Sequence, residues 1–299
     1  MSRALVTGVA GFTGKYLVHE LTAQGHDVFG IGIEPRPDIP ALRAYRQLDL
    51  MDVRALDMAL ADLTPNLVFH LAGMSHVTRD SAEALYRVNI MATRHLLDGL
   101  ARLDHAPSRV LLASTANLYG NQSGTLDETT VPAPTNDYAV SKLAMEHMAA
   151  LFRDRLPITI VRPFNYTGRG QSVNFLVPKL VHHFKHRLPT IELGNIDVVR
   201  DFSDVRDIAT AYVRLAQATD PGWGPFNLCS GVGQSLRGIL DLLRRLTGHS
   251  PKLEINPAFV RKGDVNTLIG SRARLVATVG ALETIPFETT LDWMLETPR

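Results

Sequence analysis

The chain has a single cysteine, Cys229, in 299 residues. One thiol excludes an internal disulfide and a cysteine-built zinc site, and it suits a reducing compartment. A charge bias is missing too: 31 Lys and Arg stand against 30 Asp and Glu, a formal net charge of +1. Without a global field, neither nucleic acid nor an anionic membrane is an expected partner, and an anionic ligand has to be met locally. No apolar run approaches the roughly 18 residues of a membrane span. "MSRALVTG" opens without a basic-then-apolar leader. Internal repeats, low-complexity tracts and Pro/Gly linkers are absent as well. The expectation is a soluble cytoplasmic protein with one large α/β domain, or a large and a small one.

What is present is an alternation. "RALVT", the stretch 13–24, "DVFGIGI", a helix near 52–62, "NLVFHLA", a long helix near 80–104 and "RVLLAST" follow one another. Short apolar runs separated by helical patterns predict a parallel sheet with crossover helices on both faces. "NDYAVSKLAMEHMAALFRDR" reads as a further helix, opened by Asn136 or Asp137, and "ITIVRPF" as a further strand. Beyond Pro163, short strands ("TIEL", "DVVRDF", "PFNLCSG", "KLEI") are scattered among helices, as in a smaller lobe interleaved with returns to the main sheet. With no linker between them, the lobes are expected to share an extensive interface.

"LVTGVAGFTGKYL" puts Gly8, Gly11 and Gly14 between the first strand and the first helix. Small residues there let the backbone turn tightly and approach a pyrophosphate seated on the helix N-terminus. The spacing is G-x-x-G-x-x-G, so its position carries more weight than its spelling. The second strand ends "GIGIEPRP", where an acid would select NAD and a basic residue NADP. Glu34 and Arg36 both lie there, and the acid position itself can fall on Gly32, so the signal is divided with a slight lean to NAD. Asp49-Leu50 and "HLAG" (70–73) end the next strands on the same edge. They either enclose the adenine and its phosphates or simply finish their strands.

"YAVSK" places Tyr138 and Lys142 four apart on one helix face. A phenol with a pKa near 10 is a poor proton shuttle at neutral pH, and an adjacent ammonium favours its phenolate. Lys142 can therefore tune Tyr138 while holding a cofactor ribose. "STANLYG" closes the strand that precedes this helix and offers hydroxyls but no acid. Two other clusters are discounted. His182 and His186 in "VHHFKH" lack a carboxylate or cysteine partner for a metal, and Asp127 and Glu128 on a Pro-rich loop read as solvated rather than paired for catalysis. No metal is expected.

With these motifs in order, the chain resembles the extended short-chain dehydrogenase/reductase family, in its nucleotide-sugar branch. "TGVAGFTG", "HLAG", "VN" at 88–89, "STANLYG", "YAVSK", "RPFNYTGRGQ", "VVRDFSDVRD" and "NLCSG" carry the resemblance over nearly the whole chain. It implies a Rossmann-type doubly wound parallel sheet with a smaller α/β substrate-binding lobe. The dinucleotide domain would take residues 1–164 and about 196–230, and the nucleotide-sugar lobe about 165–195 and 231–299. The resemblance makes Thr115 the hydroxyl that binds the reacting sugar oxygen, Tyr138 the proton carrier and Lys142 its partner. Around the cofactor it places Phe12, Thr13, Leu71, Ala72, Gly73, Asn89 and Pro163 with the residues above.

In the family's sugar 4,6-dehydratases, an acid or hydroxyl and then a glutamate follow that hydroxyl. Elimination needs a base for the C5 proton and an acid for the leaving hydroxyl. Ala116 and Asn117 stand there instead, which argues for plain hydride transfer at one carbon. Asn117 either hydrogen-bonds a sugar hydroxyl or finishes the turn. "PFNYTGRGQSVNFLVPKLV" and "IELGNIDVVRDFSDVRD" are similar to segments of the GDP-mannose dehydratase and GDP-6-deoxy-mannose reductase subgroup. By that similarity Asn165 and Arg200 contact the nucleotide sugar, joined by Ser75, Ala116 and Asn117. Arg261, Lys179 and Arg169 either add charge for the diphosphate or are solvated surface cations.

The expected activity is an NAD(P)-dependent 4-reductase or 4-dehydrogenase on a nucleotide-linked, preferably GDP-linked, 6-deoxyhexose. A 4-epimerase using the same triad is the nearest alternative, and a catalytically idle dinucleotide-binding regulator the other. The resemblance also implies a homodimer through a four-helix bundle of the helices near 80–104 and 137–155.

Overall fold

Runs of aliphatic and β-branched residues become strands buried on both faces, and the longer amphipathic stretches cover them. The computed structural model describes residues 2–75, 82–259 and 267–296. The first half runs β1 (Arg3–Thr7), α1 (Phe12–Ala23), β2 (Asp27–Gly32), β3 (Ala44–Gln47), α2 (Val53–Leu63), β4 (Leu67–His70) and α3 (Ala82–Tyr86). A π-helical turn, Arg87–Ala92, joins α3 to α4 (Thr93–Leu100), and β5 (Arg109–Ala113) follows. A 3₁₀ turn, Ala116–Tyr119, leads to β6 (Gly124–Leu126), α5 (Asp137–Ala150), β7 (Ile158–Pro163), β8 (Asn165–Thr167), α6 (Leu176–Lys185), β9 (Thr190–Leu193) and β10 (Val199–Asp204). The remainder is α7 (Val205–Gln217), β11 (Pro225–Leu228), β12 (Gly233–Ser235), α8 (Leu236–Thr247), β13 (Lys252–Ile255), β14 (Thr267–Gly270), α9 (Ala273–Val279) and α10 (Phe287–Leu295).

Seven strands form one parallel sheet in the order β11-β7-β5-β4-β1-β2-β3. The order reverses between β1 and β4, the switch point at which ligands of doubly wound sheets sit beyond the strand C-termini. Alternation along the strands sends successive side chains to opposite faces. Val6, Phe69 and Leu111 pack under α1 and α7 with Leu17, Leu21, Tyr212 and Val213. Leu5, Val68 and Val110 pack under α2, α4 and α5 with Leu56, Leu60, Leu97 and Met145. Burial of each such side chain contributes about 1.5–3 kcal/mol. Asn136 opens α5, accepting a hydrogen bond from the Ala139 amide at 2.9 Å, as an N-cap does.

A second sheet runs β12-β10-β14-β6, with β8 paired to β10, and β9 pairs β13. Helices α6, α8 and α10 close over them with Val177, Leu180, Leu240 and Leu291. The sequence boundary near residue 196 falls before β10, which joins this smaller sheet; the return to the large sheet comes with α7 and β11. No helix among the described residues is long and apolar enough to cross a membrane.

Candidate active site

The glycine turn follows β1 at the switch point. Gly8 has φ +67°, and a Cβ there would stand 2.7 Å from the Ala72 nitrogen. Left-handed backbone and lack of space both demand glycine. A Cβ on Gly14 would lie 2.4 Å from the Val9 carbonyl oxygen, so α1 can pack against the backbone of the turn that precedes it only with glycine there. The α1 cap, Gly11, supplies no side-chain acceptor, and the first turn holds no acid. Its amides therefore remain for an anion. Phe12 stacks on Tyr166 with centroids 6.0 Å apart, and the Thr13 hydroxyl lies 2.8 Å from the Tyr166 hydroxyl. These features fit a dinucleotide pyrophosphate.

Gly32 is the last residue of β2, and a Cβ added to it would meet the Glu34 carboxylate oxygen at 3.1 Å. The Glu34 carboxylate thus folds back over the place an acid at the strand end would take. Arg36 turns the other way and donates to the Leu42 carbonyl at 3.1 Å. Asp49 accepts from the Met51 amide in an ordinary turn, and Leu50 is buried.

After β4, Leu71, Ala72 and Gly73 cross beneath the glycine turn. The Asn89 side chain, on the π-helical turn, accepts from the Met74 amide at 2.9 Å and donates to the Met74 carbonyl and the Ser141 hydroxyl. A Cβ on Gly73 would lie 2.9 Å from Asn89 Oδ1 and 3.2 Å from Lys142 Nζ. "HLAG", Asn89 and the α5 lysine therefore converge on one point. Behind them His70 bridges Thr7 at 2.7 Å and Thr93 at 2.9 Å. Burial, assisted by the Lys142 charge, pushes the His70 pKa down to about 3, so it stays neutral.

Thr115, Tyr138 and Lys142 meet at the end of β5. Thr115 caps the 3₁₀ turn, accepting from the Asn117 amide at 3.1 Å, and its side chain lies close enough to the Tyr138 phenol to act on its pKa. Burial raises the Tyr138 pKa to about 12, the Thr115 contact pulling the other way. The Lys142 ammonium donates to the Ala113 carbonyl at 2.7 Å. Burial lowers its pKa to about 8 against the attraction of Glu146. In the free protein, then, the environment leaves Tyr138 a protonated donor rather than a phenolate. Ser114 donates to Glu146 at 2.5 Å, and Arg162 grips both oxygens of that carboxylate at 3.0 and 2.6 Å. Sequence reading missed Ser114, Glu146, Arg162 and Tyr166. The signal for Glu146 was its place one turn beyond Lys142, on the stripe already picked out.

Ala116 is buried and Asn117 exposed at the mouth of the site; Ser75 is exposed and Pro163, the last residue of β7, half-buried. Asn165 donates to the Asp201 carbonyl at 3.1 Å. Asp201 is fully buried and its carboxylate accepts four hydrogen bonds from Ser230, Gly231 and Gly270, which fixes β10 where it carries the half-buried Arg200. Lys179 donates to the Glu192 carbonyl at 2.7 Å and lies over the half-exposed Phe259 ring. Arg169 is committed to the C-terminal helix, donating to the Trp293 carbonyl at 2.5 Å and pairing with Glu296 at 2.6 Å. Its guanidinium is thus turned to α10 rather than held open for a diphosphate. Arg261 lies outside the described residues. Glu128, expected to be solvated, accepts from the Asn227 amide at 2.8 Å, because the loop after β6 lies against β11. His182 and His186 stack on an exposed face, and no group of three metal-ligating side chains occurs among the described residues.

Residues 4–229 match the NAD dependent epimerase/dehydratase family. The chain belongs to that family. It is similar to GDP-6-deoxy-D-talose 4-dehydrogenase of Aggregatibacter actinomycetemcomitans, 36% identical over 93% of this chain and 91% of the relative. It is 32% identical to GDP-6-deoxy-D-mannose reductase of Pseudomonas aeruginosa over 97% of each. Among solved structures, a candidate epimerase from Burkholderia cenocepacia superposes with a TM-score of 0.94 at 49% identity, covering 98% of this chain and 97% of that one. RMD from Pseudomonas aeruginosa, solved with NADPH, gives a TM-score of 0.84 at 28% identity over 99% and 96%. The chain therefore has the doubly wound fold of the NAD dependent epimerase/dehydratase family, and the relatives above are named for nucleotide-sugar substrates.

Proposed function

We propose that the protein is an NAD(P)-dependent oxidoreductase that reduces C4 of a nucleotide-linked 4-keto-6-deoxyhexose, with GDP-4-keto-6-deoxy-mannose as its substrate. The observation that carries this reading is the meeting of Thr115, Tyr138 and Lys142 beside the glycine turn, with no titratable side chain at positions 116 and 117. The two GDP-sugar relatives support the base.

The turn at Gly8, Gly11 and Gly14, with the amides of Phe12 and Thr13, would hold the pyrophosphate. Glu34 would accept from the adenosine ribose, which favours NAD, and Asn89 and Lys142 would flank the nicotinamide ribose. When bound, the reduced nicotinamide supplies the hydride. Tyr138, protonated at neutral pH, donates its proton to O4 while Thr115 orients that oxygen. Lys142 compensates the phenolate left behind. Asn165 and Arg200 would hold the nucleotide sugar, with Lys179 adding charge for its diphosphate.

The deciding measurement is loss of reduced-nicotinamide absorbance with GDP-4-keto-6-deoxy-mannose, run with NADH and NADPH in parallel. Oxidation of either is the expected result; none from folded, dinucleotide-binding protein sinks the assignment. A 4-epimerase is the second reading, favoured by the candidate epimerase at 49% identity. Dinucleotide retained through purification, with no net redox change on turnover, would support it.

A homodimer through α3–α4 and α5 completes the proposal. These helices pack together, and Met91, Val140 and Leu151 remain exposed on them or just beyond. Light scattering at micromolar concentration should give twice the chain mass.

A further inference from the structure

Three consecutive residues at the end of β5 are gripped by one stripe of α5. Tyr138, Lys142 and Glu146 are spaced by four, so they share a helix face. Tyr138 meets the Thr115 side chain, Lys142 donates to the Ala113 carbonyl, and Glu146 accepts from the Ser114 hydroxyl between them. Glu146 is fixed from behind by the two-pronged Arg162 contact; both side chains are under 10% exposed. Arg162 in turn donates to the Tyr119 hydroxyl at 3.1 Å, and Tyr119 to Asn227 at 2.7 Å. The clamp thereby joins α5, β5, β7, β11 and the turn that Thr115 caps.

We propose that Glu146 is a positioning residue of this site: it locks Ser114, so that Thr115 meets Tyr138 in register, and it holds Lys142 in its charged form. The second half rests on the reading of Lys142 as the ribose-holding cation. The groups around Lys142 make the sign plain. Glu146 is the anion one turn away, His70 on β4 is neutral, Tyr138 is protonated, and Arg162 on β7 is a cation balanced by Glu146. Removing the carboxylate charge removes the attraction and leaves Arg162 uncompensated, and both effects favour the neutral amine.

The test compares wild type with Glu146→Gln, Glu146→Asp and Ser114→Ala. Dinucleotide affinity against pH is read from NADH fluorescence, alongside kcat and KM for the ketosugar. The alkaline limb of NADH binding should move down by about one pH unit in Glu146→Gln and stay in place in Glu146→Asp and Ser114→Ala, which keep the charge. Ser114→Ala and Glu146→Asp should lower kcat several-fold with NADH affinity at pH 7 unchanged. An unmoved limb in folded Glu146→Gln overturns the electrostatic half, and wild-type kcat in both Ser114→Ala and Glu146→Asp overturns the positioning half. If Glu146→Gln does not fold, a displaced limb in the charge-retaining Glu146→Asp likewise counts against it. If wild type turns over no sugar, the assignment of function falls, while the NADH limb still decides the part played by Glu146.

Discussion

Gly8 and Ala72 approach so closely that a Cβ on residue 8 would stand 2.7 Å from the Ala72 nitrogen and 2.8 Å from its α-carbon. The contact is backbone against backbone, so no rotamer change relieves it. Gly8→Ala should cost about 1–3 kcal/mol through its left-handed backbone and push the turn off the 71–73 segment. The expected result is a lower Tm and weakened NADH binding in fluorescence titration. Wild-type affinity would mean that this turn does not seat the dinucleotide.

Tyr138 and Thr115 make the second test. Burial keeps the phenol protonated, with its pKa near 12, which is the state needed to give a proton to a ketone oxygen. Tyr138→Phe removes the proton while leaving the ring in place. The kcat should fall by about 10²- to 10⁴-fold, the usual weight of a positioned acid, with NADH affinity retained. Thr115→Val should lower it less, since it loses an orienting hydrogen bond and not the proton. Normal turnover in Tyr138→Phe would remove that residue from the mechanism.

Much of this was legible in the sequence where a local rule and the global fold agree. "RALVT" became a doubly buried strand, Asn136 the cap of α5, and the glycine trio the turn at the switch point. Strands β3, β6, β12 and β14 escaped because each is three or four residues long and is set by its partners rather than its own pattern. Glu146 was hidden for a related reason. A carboxylate on an amphipathic helix reads as solvent-facing until Arg162 and Ser114, distant in sequence, are seen to bury it. Arg169 was open in the sequence, its charge suiting a diphosphate or the surface alike, and only the fold shows its contacts with Trp293 and Glu296.

The third test concerns the choice of dinucleotide. An acid at the end of β2 normally accepts from the adenosine ribose; here Gly32 ends the strand and the Glu34 carboxylate lies 3.1 Å from where its Cβ would be. Arg36, the residue that would welcome a 2′-phosphate, is tied to Leu42. Glu34→Gln removes the charge that accepts from ribose and repels phosphate. NADH should bind about 10- to 100-fold more weakly, the weight of a hydrogen bond to a charged group, with NADPH unchanged or tighter. Equal loss for both nucleotides would assign Glu34 to the fold instead.

His70 gives the protein an acid lability that can be measured without substrate. It is 2% exposed, held between Thr7 and Thr93, and its pKa falls from 6.5 to about 3, chiefly through burial. The folded state keeps it neutral while the unfolded chain protonates it near 6.5. Its contribution is therefore complete above pH 6.5 and drains away as pH falls toward 3. The slope is about 1.4 kcal/mol per pH unit. Glutamine is uncharged at every pH and can both donate and accept between the two threonines. Between pH 7 and 5, wild-type stability in urea should therefore drop on the order of 1–2 kcal/mol further than that of His70→Gln. Parallel pH profiles for the two proteins would show that His70 takes up a proton in the folded state, and the buried pair of threonines that hold it, Thr7 and Thr93, would then have to accommodate a charge.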